Sequence, residues 1–294
     1  MSLLTADLRR VLHRRLVWGV LALCLVVLGV LLWQALGDLR SIAAGGKDLP
    51  QYVNCMAAQG GALKSGQSVD FHCADLARQF TGADVINKNV QLLGLVCATA
   101  AVVVGATVSG YDSSSGALST WLVTEPRRGR VMAARAGAAG LASAAGAAVI
   151  SAGFLVALNT LARSADPSTQ RLDAAGVLGG SMRIAVVVAS IAAVAAAIGL
   201  TVAGTGVVVA VLSAWPVIEL LFPQLQPTQF LLLPNLRNLV TGNETYEIIT
   251  CTSGNGMCHS ATEALSPEFS ASYTTGIIVV LLAIAAMLFR RRPV

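Results

Sequence analysis

The stretch IAVVVASIAAVAAAIGLTVAGTGVVVAVLSAWPVI, residues 184–218, contains no charged side chain and decides the fold class. As one helix it would be roughly 50 Å long, far beyond the ~30 Å hydrocarbon core of a bilayer. Gly204-Thr205-Gly206 near its middle is a typical turn sequence, so we predict two helices here. The first begins near Val177 and tolerates Arg183, because a long arginine side chain can reach the headgroups.

Uncharged apolar runs recur along the rest of the chain. Runs 16–36, 90–110 and 136–162 have the length of a membrane-spanning helix, and a shorter run, 273–289, lies near the C-terminus. The composition agrees: 55% of residues are hydrophobic, 12% are charged, and the mean hydropathy is +0.71. Soluble domains have about 25% charged residues. The predicted fold class is all-α, a polytopic membrane protein with six transmembrane helices.

Arginines flank both ends of this predicted membrane domain. They are Arg9, Arg10, Arg14 and Arg15 before the first helix and Arg290, Arg291 and Arg292 after the last. The positive-inside rule therefore predicts that both termini are cytoplasmic, in the cell inner (plasma) membrane. Two cytoplasmic termini require an even number of crossings. One predicted outer loop, 163–176, contradicts the rule because it carries Arg163 and Arg171.

The predicted segments follow the chain in a fixed order: an amphipathic interfacial helix (1–15), TM1 (16–36), an extracytoplasmic loop (37–89), TM2 (90–110), a cytoplasmic loop (111–135), TM3 (136–162), a short extracytoplasmic loop (163–176), TM4 (177–203), TM5 (204–222), an extracytoplasmic loop with a re-entrant candidate (223–272), TM6 (273–289) and a cytoplasmic tail (290–294). An ordinary basic flank is the alternative for the first segment. TM1 is too long for a signal peptide, so we expect it to remain as an anchor.

Cysteines divide between the predicted spans and the predicted outer loops. The outer-loop cysteines are Cys55, Cys73, Cys251 and Cys258. Disulfides are expected in an oxidising compartment, and pairing within each loop is simplest, with cross-loop pairing left open. His72 and His259 each adjoin a cysteine, which raises a zinc site as the alternative. We predict no metal, because no recognised ligand spacing is present.

One carboxylate adjoins the long apolar run. Glu219 is followed by Phe222 and Pro223 within an apolar segment, 216–234, that prolines interrupt. Irregular backbone at membrane depth is tolerated only when it is buried in protein or lines a cavity. Glu219, Phe222 and Pro223 are therefore candidates for the exit of a pathway. An interfacial cap with Glu219 in water is an equal alternative.

Two further patterns concern chemistry and packing. The chain contains no HExxH, GxSxG or Walker motif, so we predict neither an enzyme nor a cofactor in this chain. Its net charge of +5 is explained by the membrane flanks, and no nucleic-acid partner is expected.

Small residues recur in the predicted third span. Ala136, Gly140, Ala144 and Ala148 fall four apart, which predicts a close helix–helix approach, by default within the chain.

The most specific sequence is YDSSSGALSTWLVTEPRRGRVMAAR, residues 111–135. It resembles the loop between the second and third spans of type-2 ABC transporter permeases, which export drugs, lipids and polysaccharides. Asp112 matches the family's acidic residue, Gly116 the glycine of a Gly-Thr pair, 126–130 a Pro-basic stretch, and Arg135 a lysine that opens the next span. The sequence departs from the pattern at Ala117, where threonine is usual, and by Asp for Glu and Arg for Lys.

The resemblance implies that a short helix of this loop docks in a cleft of a separate ATPase subunit. Its apolar contacts would be Leu118, Trp121 and Leu122, and its charged rim Arg127, Arg128 and Arg130. Implied partners are two ABC-type ATPase subunits, which hold ATP and Mg, a second permease subunit of the same or a homologous chain, and membrane lipids. The implied function is export of a hydrophobic or amphiphilic substrate.

Three alternatives remain open at this point. The basic loop could lie on anionic headgroups instead of an ATPase. The chain could be a non-transporting scaffold or receptor that binds a partner through disulfide-bonded outer loops. It could also be a secondary transporter or channel, although its spans offer almost no ionisable residue for an ion or proton site.

Overall fold

The computed structural model describes residues 15–43, 82–114, 128–165, 174–202, 205–221, 231–241, 245–251 and 258–291. The helices in this part of the chain are α1 (Arg15–Ala43), α2 (Gly82–Ser114), α3 (Arg128–Ala165), α4 (Ala174–Thr201), α5 (Thr205–Leu221), α6 (Leu232–Thr241) and α7 (Pro267–Arg291). An antiparallel hairpin, β1 (Thr245–Cys251) and β2 (Cys258–Ala264), precedes α7.

Five of these helices are long and apolar enough to cross a membrane: α1, α2, α3, α4 and α7. The chain is therefore a polytopic membrane protein with an all-α bundle, as the composition predicts. The β1–β2 hairpin lies between two of the bundle's helices in the sequence. The apolar run 184–218 is divided between α4, which ends at Thr201, and α5, which begins at Thr205. With 17 residues, α5 is roughly 25 Å long and shorter than the other five.

Helix α4 is the centre of the bundle and packs against α2, α3, α5, α6 and α7. Its alanine-rich sequence presents little side-chain bulk, so neighbouring backbones approach it closely. A Cβ atom added at Gly105 of α2 would overlap the Ala192 carbonyl oxygen of α4 and lie 2.9 Å from Ala195 Cβ. One added at Gly140 of α3 would lie 3.1 Å from the Ala189 carbonyl oxygen. Gly140 of the predicted small-residue pattern thus faces α4, within the chain.

Two apolar clusters show which helix termini lie together. Val131 of α3 packs with Leu200 of α4 and Phe289 of α7. One layer deeper, Ala139 of α3 packs with Val104 and Val108 of α2, Ala196 of α4, and Val17 and Val20 of α1. The start of α1 and the end of α7 therefore lie at the same end of the bundle. We call it the basic end, because it holds Arg15, Arg128, Arg130, Arg290 and Arg291.

The opposite end, the far end, is marked by an ion pair. Lys88 Nζ of α2 lies 3.2 Å from Asp38 Oδ2 of α1. Gly94 lies about 9 Å along α2 from Lys88, toward the basic end, and its Cα faces Val240 of α6. Helix α6 thus enters the bundle beside α2, α4 and α7 and does not simply cover its rim.

The structure differs from the predicted segments where polar residues extend a helix. Residues 111–114 belong to α2 and 128–135 to α3, so the predicted loop 111–135 is helical at both ends. With 38 residues, α3 is roughly 57 Å long and must project beyond the hydrocarbon core. Hydropathy detects only the part of a helix that lies in lipid, which explains the shorter prediction.

The segment 216–234, predicted as irregular, is also helical at both ends. Helix α5 continues through Pro216 to Leu221, and α6 includes Pro234 in its first turn. Pro234 is tolerated in the first turn of α6 because the first N–H groups of a helix have no intrahelical acceptor. Residues 222–230 lie outside the described part of the chain. The β1–β2 hairpin was not predicted, because the membrane pattern dominates the sequence.

Candidate functional site

The predicted coupling loop leaves the bundle at the basic end, between α2 and α3. Asp112 lies in the last turn of α2, whereas Arg128 and Arg130 lie in the first turn of α3. The other predicted coupling residues, Gly116, Leu118, Trp121, Leu122 and Arg127, lie outside the described residues. The structure therefore places the two attachment points of the loop, one at the end of α2 and one at the start of α3.

Arg128 joins the start of α3 to the end of α7. Its Nη1 donates to the carbonyl oxygens of Phe289 at 3.4 Å and Arg290 at 3.3 Å. The last carbonyls of a helix lack intrahelical donors and carry partial negative charge, so a cation is favoured there. Arg130, one position past Gly129, is exposed to solvent. Of the predicted charged rim, Arg128 therefore caps a neighbouring helix while Arg130 remains accessible.

The apolar layer beneath Arg128 strengthens this junction. Val131 is 3% exposed, Phe289 is 2% exposed and Leu200 is fully buried where they meet, and Met132 packs beside them. Three helix termini, those of α3, α4 and α7, are thus held in one block. A displacement of the loop would be transmitted to these three helices together.

Arg135 lies one turn beyond Val131 and is almost completely buried, with 1% of its surface exposed. The resemblance matches it to the lysine that opens the third span. Instead of reaching solvent at a helix start, its side chain is enclosed by the bundle. Among the charged side chains whose burial the structure describes, Arg135 alone is buried.

Replacing Arg128 by alanine is expected to lower the free energy of unfolding by about 1 kcal/mol, because the α7 carbonyls lose a cationic donor. The measurement is the unfolding midpoint of the purified protein titrated with SDS, followed by circular dichroism. Arg130→Ala is the matched control: it removes the same charge two residues away from an exposed position, and a change within about 0.5 kcal/mol is expected. Equal losses in the two variants would contradict the capping role.

The other predicted site residues lie away from the basic end or outside the described residues. Glu219 is in α5, where the structure gives the backbone, and Phe222, Pro223, Cys55 and Cys73 lie outside. Cys251 and Cys258 are directly opposite each other at the last register pair of the hairpin. Cys24 and Cys97 are buried free thiols in α1 and α2. Among the described residues, no group of His, Cys, Asp and Glu could hold a metal ion.

A polar cluster at the far end was missed by the sequence interpretation. Asn238 of α6 donates through Nδ2 to the Leu265 carbonyl at 2.9 Å and to Ser270 Oγ of α7 at 2.8 Å. Asn235 Nδ2 donates to the Leu231 carbonyl at 2.7 Å, and both asparagines are buried. Two asparagines three residues apart in an apolar segment were the available signal, because polar groups buried in a membrane protein need partners.

The start of α7 completes this cluster. Ser266 Oγ accepts from the Phe269 backbone N–H at 3.2 Å, and Pro267 occupies the first helical position. This is a typical helix N-terminus, since proline needs no hydrogen-bond partner there. The cap fixes Ser270 one turn further on, where it accepts from Asn238. Helices α6 and α7 are thereby locked together at the far end.

The sequence matches no family model and no curated protein. Function is therefore inferred from the bundle itself. Its described residues offer a block of helix termini at the basic end, a locked α6–α7 junction at the far end, and close backbone packing between them.

Proposed function

We propose that this chain is the transmembrane permease subunit of an ABC transporter that exports a hydrophobic or amphiphilic substrate. The observation that supports it best is the attachment of the predicted coupling loop. Its α3 side is anchored to α7 through Arg128 and to α4 through Val131. An ATPase that binds the loop differently in two nucleotide states could thus shift an equilibrium between two bundle conformations.

The proposed topology has six crossings, with α5 as the fifth. The common position of the α1 start and the α7 end favours an even number, and five helices alone would leave these termini on opposite sides. Arginines at the basic end favour a cytoplasmic location for it and for both termini, in the inner (plasma) membrane. The far end, with Asp38 and Lys88, would then face outward.

The proposed partners meet the basic end. Two ABC-type ATPase subunits would bind the loops of two permease subunits, which are identical or homologous chains. Leu118, Trp121 and Leu122 would supply apolar contact, Arg127 and Arg130 the charged rim, and Asp112 and Gly116 the start of the loop. ATP and Mg²⁺ would be held by the ATPase, and no bond chemistry is assigned to this chain.

The far end supplies the proposed exit. Glu219 lies in the last turn of α5, and Phe222 and Pro223 come next in the sequence, before α6, which enters the bundle beside α2. A disulfide between Cys251 and Cys258 is proposed for the hairpin, and its cross-strand register supports this local pairing. Cys55 and Cys73 are proposed as the second pair, within the first outer loop.

Coexpression with an ABC-type ATPase subunit, taken from the gene beside this one where such a gene is present, tests the proposal. We expect the two proteins to co-elute after affinity purification of the permease in detergent, and the complex to hydrolyse ATP faster than the ATPase alone. The double variant Trp121→Ala/Leu122→Ala should lose both properties. Trp33→Ala is the matched control, because Trp33 of α1 is 76% exposed on the outer surface of the bundle.

Failure of the wild-type proteins to co-elute, together with unchanged ATP hydrolysis, would overturn the proposal. Retention of both properties in the double variant would reject the assigned docking residues. Transport is followed separately, as ATP-dependent movement of a fluorescent lipid or hydrophobic dye in proteoliposomes. No movement of any apolar probe by a coupled complex would reject the substrate class.

A scaffold or receptor is the second candidate, and the β1–β2 hairpin favours it because a structured outer element can bind a partner. Deleting residues 115–121 distinguishes the two: a receptor should keep its outer binding and function, whereas a permease should lose coupling. A secondary transporter or channel is less favoured. Among described charged side chains only Arg135 is buried, and it lies at the basic end, not at mid-membrane.

A further inference from the structure

Arg183 is a charged side chain on the outer surface of a membrane-spanning helix. It is the only charged residue of α4, whose 28 residues have the length and hydropathy of a span. It is exposed, and the described part of the chain gives it neither an ion pair nor a hydrogen bond. Because its guanidinium is always charged and a bare charge in lipid is costly, a polar group from outside the bundle must reach it.

The depth of Arg183 follows from the register of α4 against α2. Both helices run from the far end toward the basic end, and Gly105 of α2 lies against Ala192 and Ala195 of α4. Lys88 at the far end is about 25 Å from Gly105 along α2, whereas Arg183 is about 15 Å from the same contact along α4. The backbone of Arg183 is therefore roughly 10 Å deeper than the far-end ion pair, where lipid surrounds the bundle.

The surface around Arg183 combines apolar side chains with an open recess. Met182 and Val186, beside it and one turn toward the basic end, are both exposed. Gly179 lies one turn toward the far end on the same face, and a Cβ atom added there would meet nothing within 4 Å. Helical side chains lie over the turn that precedes them, so the favoured rotamers carry the guanidinium over Gly179 toward the far end. Such a surface fits an amphiphile whose headgroup is nearer the far end than its acyl chains.

The charge of this surface is positive. Helices α3 and α4 pack against each other, and neither contains a carboxylate. Arg163 in the last turn of α3 is a second exposed arginine, and it too makes no ion pair or hydrogen bond in the described structure. The ammonium of a zwitterionic headgroup is repelled by these cations, whereas a headgroup with net negative charge is attracted. Charge complementarity therefore selects an anionic lipid.

We propose that Arg183 binds the phosphate of an anionic phospholipid in the leaflet at the far end of the bundle. The headgroup lies over Gly179, and an acyl chain lies along Met182 and Val186. A guanidinium suits this role because it can donate two parallel hydrogen bonds to one phosphate. Under the proposed topology the leaflet is the outer one, but the lipid site does not depend on the ATPase or on transport.

Photocrosslinking of the full-length protein in phosphatidylcholine proteoliposomes tests the site. The probe is phosphatidylglycerol or phosphatidylcholine with the same diazirine-labelled acyl chain, and adducts are located by mass spectrometry after chymotrypsin digestion, which does not depend on arginine. We expect phosphatidylglycerol to label residues 178–186 roughly fivefold more than phosphatidylcholine. Arg183→Gln should remove most of this preference, and Arg183→Lys should keep part of it, because an ammonium also attracts phosphate.

Matched variants separate this site from general attraction to a cationic protein. Arg163→Gln removes the same charge from the last turn of α3, and the preference at residues 178–186 should stay within about twofold. Gly179→Leu keeps the charge but fills the recess, so it should lower the labelling about as much as Arg183→Gln. Gly29→Leu in α1 is its control, since a Cβ atom there also meets nothing within 4 Å, and it should leave the labelling unchanged.

Equal labelling by the two lipids, or a preference that survives Arg183→Gln or Gly179→Leu, would overturn the proposal. Equal losses in Arg183→Gln and Arg163→Gln would do the same, because they indicate diffuse attraction to the surface. Inorganic phosphate in large excess over the probe should not reduce the labelling, since it lacks the acyl contact. Its displacement of the probe would assign the site to a free anion and reject the lipid. No ATPase is present, so these outcomes leave the proposed function untouched.

Discussion

Replacing Gly105 by alanine is expected to destabilise the bundle by about 3 kcal/mol, although the change adds one methyl group. The new Cβ would overlap the Ala192 carbonyl oxygen and lie 2.9 Å from Ala195 Cβ, both on α4. Because the first obstacle is backbone, no side-chain rotation can relieve it, and α2 must move away from α4. The expected result is a lower midpoint of unfolding in SDS and a lower yield of folded protein.

Gly153→Ala is the matched control for this substitution. Gly153 is also a helical glycine, in α3, but a Cβ atom there would meet nothing within 4 Å. Its free energy of unfolding should stay unchanged or rise by up to about 1 kcal/mol, because alanine is the better helix former. Gly140→Ala should fall between the two, since its nearest atom, the Ala189 carbonyl oxygen, is at 3.1 Å. A loss at Gly153 as large as at Gly105 would contradict the close α2–α4 contact.

Asn238→Ala is expected to cost about 2 kcal/mol, because it leaves the Leu265 carbonyl and the Ser270 hydroxyl buried without their donor. Ser270→Ala should cost about 1 kcal/mol through the same pair. The double variant should lose less than the sum of the single variants, with a coupling of about 0.6 kcal/mol or more. SDS titration of the four proteins measures this cycle.

Ser272→Ala serves as control for Ser270→Ala. Ser272 is exposed, and its hydroxyl donates to the Glu268 carbonyl in its own helix at 2.8 Å. Its removal should change the free energy of unfolding by no more than about 0.5 kcal/mol. If Ser272→Ala and Ser270→Ala lower the free energy of unfolding equally, or if the cycle shows no coupling, the Asn238–Ser270 hydrogen bond does not stabilise the contact between α6 and α7.

The helical membrane fold was predictable because lipid imposes simple demands on a sequence. A span needs about 20 residues with few charges, and its backbone must satisfy its own hydrogen bonds. These demands are met locally, so the runs at 16–36, 90–110, 136–162 and 273–289 each fall within a long apolar helix. Helix ends were less accurate, because the polar turns of α2 and α3 continue past the lipid boundary that hydropathy detects.

The candidate site was predictable only in outline. The arginines and the apolar residues of 111–135 predicted a cytoplasmic coupling loop, but nothing in the local sequence assigns Arg128 to α7 or buries Arg135 while Arg130 stays exposed. Those assignments depend on residues more than 60 positions distant, such as Leu200 and Phe289. The polar pair Asn238–Ser270 depends likewise on how α6 meets α7.

Taken alone, the apolar run 184–218 determined that this chain is a membrane protein, because no soluble core could cover so long an uncharged stretch. The glycines at 204 and 206 also placed its division close to the observed gap between Thr201 and Thr205. Only the tertiary structure decided that α4 is the centre of the bundle and α5 a shorter helix at its side. In lipid, helices are sorted by close packing and polar contacts, not by hydrophobicity, and those contacts exist only between segments.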